Sequence, residues 1–304
     1  MAPAETVTVA MVAGALRVST PFLFVSLGEC LTERSGRINL GNEGVLVLGA
    51  MVGYATSYQT GNPWLGVVSA ALAGALLGAA HGGICSLARV NDVAMGIAIM
   101  LAGTGIAFFF GKPYVQPSAP QLPRIPLGFW AIESQVRSAL EVSPLFFIGL
   151  AAAFAMDWFF RATRMGLRVR IVGDSADAAR ALGLSIHRVR LLATAAGSAL
   201  AGIGGSFLSL SYPGSWNEGL SSGQGLMAVA LVVFARWNPV HCVIAALIFG
   251  ASGALGPSLQ TIGITKGYYL FYGTPYVVTL LILAVTIRPG KALRGMPGEL
   301  SIGR

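Results

Sequence analysis

Glu43 opens a long apolar run, inside the string Asn39-Leu40-Gly41-Asn42-Glu43-Gly44. A carboxylate alone at the centre of a bilayer is unfavourable by about 2.5–3.5 kcal/mol or more, so it must pair, take up a proton or line water. One reading puts Asn39, Asn42 and Glu43 on a polar path between two interrupted helices, together with Ser222 and Gln224 of a similar string at 221–225. The other has Glu43 brace backbone freed by Gly41 and Gly44, or pair with Arg37. A second concentration of polar groups fills 161–190, with seven arginines. Its centre, GDSADAARALG at 173–183, predicts one short helix, capped by Asp174 and ended by Gly183 in the left-handed conformation. Ala176, Ala178, Ala179 and Ala181 favour helix and add no bulk. Such a helix suits a groove in a partner; a solvated connector is the alternative.

Other chemistry finds no support in the spacing. His81, His187 and His241 lie far apart in sequence, so no metal site is expected. Cys30, Cys85 and Cys242 sit singly in or beside apolar runs and read as small buried residues. There is no GxxxxGK[ST] string and no Ser/His/Asp grouping, so neither a catalytic residue nor a cofactor is expected.

The elements that position these residues follow from composition. The chain of 304 residues is 55% hydrophobic and 11% charged, with 40 glycines. That pattern, with apolar runs from end to end, predicts an all-α, polytopic transmembrane bundle without a separate soluble domain. About nine spans are read, near 8–31, 38–58, 63–87, 93–110, 144–160, 190–211, 222–236, 240–256 and 275–287. Arg17, near the first end of the first span, is expected to snorkel. The segment 111–143, with five prolines, reads as a long loop, and 257–274 as an interfacial stretch with Lys266, Tyr268, Tyr269 and Tyr272. The string AAGSALAGIGG in the sixth span should let helices approach closely.

The net charge of +8 is a matter of position. With nine spans, 15 of the 20 Lys and Arg fall on one side, in 31–37, 88–92, 161–190, 236–239 and the tail. This puts the N-terminus outside and the C-terminus in the cytoplasm, and gives no reason to invoke nucleic acid. The opening MAPAETVTVAMVAG lacks the basic region of a signal peptide. The polar entries at 39–44 and 221–225 cross from opposite faces, and Asn62-Pro63 and Asn238-Pro239 follow them. That is the pattern of an inverted repeat. One domain over 1–304 is expected: a first repeat and outer loop at about 1–143, a polar loop at 161–190, a second repeat at about 190–287 and a basic tail at 288–304.

Three strings carry a resemblance. ERSGRINLGNEGVLVLGAMVGY at 33–54, TRMGLRVRIVGDSADAARALGLSIHRVR at 163–190 and GQGLMAVALVVFARWNPVHCVIAALIFG at 223–250 resemble permease subunits of ATP-binding-cassette importers for simple sugars and nucleosides, with the nucleoside branch closest. TPYVVTLLILA at 274–284 continues it. The resemblance implies a coupling helix at 174–183 that docks on an ATP-binding subunit. Asp177-Ala178-Ala179 and Gly183 resemble the Glu-Ala-Ala-x-x-x-Gly signature, with Asp for Glu and without its Ile-x-Leu-Pro part. The docking residues implied are Gly173, Asp174, Asp177, Ala178, Ala179 and Gly183. It also implies a second, related permease, two ATP-binding subunits and a periplasmic or lipid-anchored binding protein. The location implied is the bacterial inner membrane, with no enzymatic activity in this chain. The competing reading is a stand-alone ion- or proton-coupled transporter or channel with Glu43 as its proton site.

Overall fold

A computed structural model describes residues 3–87, 89–128, 140–211, 213–260, 273–286 and 295–301. Lys266, Tyr268, Tyr269 and Tyr272 of the expected interfacial stretch, and Arg137, Arg288, Lys291, Arg294 and Arg304, lie outside the described residues. Helices α1 (Pro3–Arg34), α2 (Asn42–Thr60), α3 (Pro63–Ile84) and α4 (Asp92–Gly111) come first. A short 3-10 turn, Lys112–Tyr114, and the strands β1 (Ile125–Pro126) and β2 (Glu141–Val142) follow. Then come α5 (Pro144–Ala162), α6 (Arg164–Asp174), α7 (Ala176–Ala181), α8 (Ile186–Leu210), α9 (Gln224–Phe234), α10 (Pro239–Gln260), α11 (Thr274–Thr286) and α12 (Gly298–Ser301).

Among the described residues, six helices are long and apolar enough to cross a membrane: Met11–Arg34, Pro63–Ile84, Asp92–Tyr114, Pro144–Ala162, Ile186–Leu210 and Pro239–Gln260. The protein is a multi-pass membrane protein. Helices α2, α9 and α11 stand where three further spans are predicted. The eleven residues of α9 give a rod of about 16 Å, half of a hydrocarbon core of about 30 Å. Helix α9 by itself therefore accounts for only about half of that thickness.

Helix α8 is the pillar, and the small-residue string makes it so. An added Cβ on Gly197 would lie 2.4 Å from the Gly28 carbonyl oxygen of α1. One on Gly202 would lie 2.2 Å from that of Ala70 in α3, and one on Gly205 2.1 Å from that of Leu46 in α2. Three helices therefore touch α8 backbone to backbone, as the spacing of small residues predicts. Helix α10 reaches α1 in the same way, with Gly250 against the Ala15 carbonyl. Two apolar cores flank this frame, one around Leu46, Phe207 and Trp216 and the other around Phe22, Phe249 and Trp237.

The structure differs from the sequence reading in several local features. Helix α1 runs to Arg34, so Glu29 and Glu33 lie on its last turns and Glu33 is not in a loop. Helix α2 starts at Asn42, because Gly36 (φ +84°) turns the chain back and 37–41 return beside α1. The 111–143 loop holds a small antiparallel pair, Ile125 opposite Val142. Arg17 turns to that pair and donates its Nε to the Glu141 carbonyl at 3.4 Å. Residues 173–183 are not one helix. Gly173 and Asp174 end α6, Ser175 is extended, and its hydroxyl accepts from the Ala178 N–H at 3.2 Å. Ser175, not Asp174, is the cap of α7. Gly183 holds φ +70°, as expected of the residue that ends the helix.

Candidate functional site

The N-termini of α2 and α9 meet inside the bundle, and Glu43 joins them. Its Oε1 accepts from the Ser221 hydroxyl at 2.5 Å and the Gly223 N–H at 3.1 Å. Its Oε2 accepts from the Gly225 N–H at 2.7 Å. Free N–H groups and the positive end of the helix dipole make such a terminus a natural seat for a carboxylate. Gly223, at φ +79°, and Ser222, at φ +47°, bend the chain so that these N–H groups face Glu43. Gly225 admits no side chain, since an added Cβ would lie 2.5 Å from the Glu43 Cα. Glu43 therefore braces backbone, as one sequence reading expects, but the backbone is that of α9 rather than its own. Arg37 does not pair with it. Arg37 binds Asp92 at 3.0 Å and the Cys85 carbonyl at 2.7 Å.

A second buried carboxylate, Glu29 of α1, holds the entry of α2. Glu29 accepts from the Asn39 N–H at 2.8 Å and from the Asn42 side-chain amide at 2.6 Å. Asn39 also donates to Asn42 Oδ1 at 3.2 Å and to the Ser198 hydroxyl of α8 at 3.0 Å. Glu29, Asn39 and Asn42 are fully buried. Glu33, one turn along α1 from Glu29, accepts from the Trp237 indole N–H. Arg236 (φ +51°) and Trp237 (φ +54°) are both left-handed, a conformation that is unfavourable by about 1–3 kcal/mol per residue. The burial of Trp237 and its bond to Glu33 offset this. Arg34 completes the junction, donating to the Trp237 carbonyl at 2.9 Å and lying over the Phe160 ring.

The five predicted path residues thus converge on one junction but face two ways. Asn39, Asn42 and Glu43 are locked in the brace. Ser222 and Gln224 line a cavity of about 460 Å³, with Arg17, Phe22, Met227 and Tyr276 also on its wall. The Tyr276 hydroxyl donates to the Ser222 carbonyl at 3.4 Å. Gln224 Oε1 is buried without a hydrogen-bond partner among the described residues. Glu29, Glu33 and Trp237 were not singled out from the sequence. The signal available was the i, i+4 spacing of Glu29 and Glu33, which sets both on one face of α1.

At the α6–α7 end, Gly173 is packed so closely that an added Cβ would lie 2.1 Å from the Arg34 carbonyl oxygen. That contact ties the polar loop to α1. Beyond it α7 stands outward: Asp174, Asp177, Ala178 and Gly183 are exposed, as is Leu182, while Ala179 is fully buried. Ala179 packs with Val172 and Ile186. The Asp177–Arg180 pair at 2.5 Å is solvent-exposed and adds little. Among the described residues no three His, Cys, Asp or Glu side chains gather as metal ligands.

The family model described as branched-chain amino acid transport system, permease component, matches residues 11–287. Among curated proteins, a Haloferax volcanii protein provisionally named glucose ABC transporter permease protein TsgC13 is 34% identical over 256 residues, covering 82% of this chain and 77% of its own. The nucleoside ABC transporter permease protein NupC of Lactococcus lactis is 27% identical, with 93% of each chain covered. The guanosine ABC transporter permease protein NupQ of Bacillus subtilis is 28% identical, with 90% of each covered.

Proposed function

The chain belongs to the permease-component family of branched-chain amino acid transport systems, a transport component rather than an enzyme, and from that premise we propose its place in a transporter. It is the transmembrane permease of an ATP-binding-cassette importer that moves nucleosides, or related simple sugars, across the bacterial cytoplasmic membrane. The observation that carries this reading is α7, a short helix that turns its small and polar face outward while Ala179 and Gly173 anchor it to the bundle. That face, made by Asp174, Asp177, Ala178 and Gly183, fits a cleft of an ATP-binding subunit. Hydrolysis there supplies the free energy. The partners are two such subunits, a second permease and a periplasmic or lipid-anchored binding protein.

The α6–α7 end then faces the cytoplasm and the N-terminus lies outside, in keeping with the basic loops gathered at that end. With α2, α9 and α11 added to the six long helices, the chain passes the membrane nine times. The two repeats meet where α2 and α9 abut. Ser222 and Gln224 lie on the translocation path, whose outward part is the 460 Å³ cavity. Asn39, Asn42 and Glu43 close its inner end. Phe22 and Tyr276 give the cavity two aromatic rings beside the Gln224 amide, the Ser222 and Tyr276 hydroxyls and the Arg17 guanidinium. That lining suits a planar base better than a hexose edged with hydroxyls. The stand-alone proton-coupled reading is weaker, because both oxygens of Glu43 are already held by donors.

The test is uptake of labelled adenosine and uridine in cells lacking the gene and in the complemented strain, with excess unlabelled ribose as competitor. Loss of nucleoside uptake on deletion, restored by the gene and insensitive to ribose, is the expected result. Uptake unchanged by deletion, in cells without a second nucleoside system, rejects the nucleoside and returns the substrate to sugars.

A further inference from the structure

The last described segment, 295–301, reads in sequence as part of a basic tail, yet it folds into the bundle. Gly298 abuts the end of α6, where an added Cβ would lie 2.2 Å from the Asp174 carbonyl oxygen. Glu299 then divides its carboxylate between two elements. Its Oε1 accepts from the Ala176 N–H at 2.8 Å, and Ala176 is the first residue of α7. Its Oε2 accepts from Arg190 Nη2 at 2.8 Å, near the start of α8, in a pair whose side chains are only 19% and 16% exposed. Arg190 passes the connection on, donating its Nε to the Ser35 carbonyl at 3.1 Å, at the end of α1. Gly36 sits against both side chains, so that an added Cβ would lie 3.0 Å from Arg190 Nη2 and from Glu299 Cβ.

The same segment also touches the turn between α9 and α10. Gly295, at φ +93°, lies against the Arg236 carbonyl there. Met296 and Leu300 pack on the core that contains Phe160 and Trp237. One short stretch therefore meets α7, the start of α8, the reversal that leads into α2 and the turn that leaves α9. The last two adjoin the helices whose N-termini meet at Glu43.

The local physics of α7 gives this weight. A helix of six residues is unstable alone, and its first turn has N–H groups without partners inside the helix. Ser175 satisfies that of Ala178 and Glu299 that of Ala176. Half of the cap of α7 thus comes from the C-terminal segment. Bonds to an ionised carboxylate are about twice as strong as neutral ones, so a displacement of α7 pulls on Arg190 and the 35–36 turn through a stiff connection.

We propose that Glu299 is a positioning residue of the transport cycle, and that residues 295–301 are a coupling element carrying movement of α7 to the chain that enters α2 and to the turn that leaves α9. The inference rests on the reading of α7 as the docking helix for the ATP-binding partner.

The experiment uses the complete transporter in proteoliposomes and reads uptake and ATP hydrolysis together. Glu299→Ala should retain the ATP-binding subunits on purification and hydrolyse ATP to within about twofold of wild type. Its uptake per ATP should fall about tenfold, a size consistent with losing one charge-assisted bond. Glu299→Gln, which keeps an acceptor for Ala176, should fall less. Ala176→Cys with Glu299→Cys, joined by a short bifunctional thiol reagent, should recover uptake per ATP, and the unjoined form should not. Unchanged uptake per ATP in Glu299→Ala overturns the proposal. So does a parallel loss of uptake, hydrolysis and assembly, which is the signature of a purely structural residue. Leu182→Asp, on the outward face next to α7, separates the two levels. If it leaves subunit association intact, the docking reading fails and this proposal with it. If it abolishes association while Glu299→Ala remains fully coupled, only the role of Glu299 fails.

Discussion

Replacing Glu43 tests whether the centre of the bundle is braced or merely polar. In Glu43→Ala the Gly225 N–H, the Gly223 N–H and the Ser221 hydroxyl all lose their acceptor. Gly225 and Ser221 are buried and Gly223 is half-buried, so water restores little of the loss. Each buried donor left unsatisfied is unfavourable by about 1–3 kcal/mol, so the two buried ones give about 2–6 kcal/mol for the variant. The eleven-residue α9 is marginal without its cap and should loosen first. Glu43→Gln keeps one acceptor oxygen but turns an amide N–H toward a donor, for a loss of about 1–3 kcal/mol. The assay is thermal unfolding of the detergent-solubilised protein, followed by tryptophan fluorescence, with uptake measured in parallel. The unfolding temperature should fall in the order wild type, Gln, Ala, and loss of uptake should track loss of stability. The bracing argument is refuted if Glu43→Ala unfolds at the wild-type temperature while uptake is abolished. That outcome would make Glu43 a group that meets substrate or proton.

Three further expectations follow from the same geometry. Asp92→Ala leaves Arg37, whose side chain is 4% exposed, as an unpaired buried charge; the loss should be about 3–5 kcal/mol, read as lowered yield and unfolding temperature, and Arg37→Met added to it should recover part. Gly202→Leu should abolish assembly of the bundle, since its first added carbon already meets the Ala70 carbonyl at 2.2 Å, whereas Gly105→Ala, with nothing within 4 Å, should be neutral or slightly stabilising in the same yield and unfolding assays. Ala178→Arg, on the exposed side of α7, should remain in the membrane yet lose co-purification with the ATP-binding subunits; Ala179→Arg should also unfold the loop, because Ala179 is buried against Val172 and Ile186.

What the sequence could and could not show follows from where each interaction has its partner. The small-residue string at 195–205 was legible as a close-packing surface because the requirement, no side chain, is written in the residues themselves. The six long helices were legible because apolar length needs no partner to be recognised. The cap of α7 was misplaced by one residue, since Asp174 and Ser175 are both good caps and only the extended backbone at Ser175 decides between them. Glu29 was missed because its partners, Asn39 and Asn42, come beside it only after the chain reverses at Gly36. Glu299 was hidden in a segment whose charge count made it look like a solvated tail. Glu29, Glu43 and Glu299 share one feature: each carboxylate binds backbone N–H groups, those of Asn39, of Gly223 and Gly225, and of Ala176. A backbone donor leaves no residue type for a pattern search to find. In a bundle with short and interrupted helices, the acidic side chains are therefore best sought by asking which N–H groups lack a partner, rather than which basic residue stands nearby.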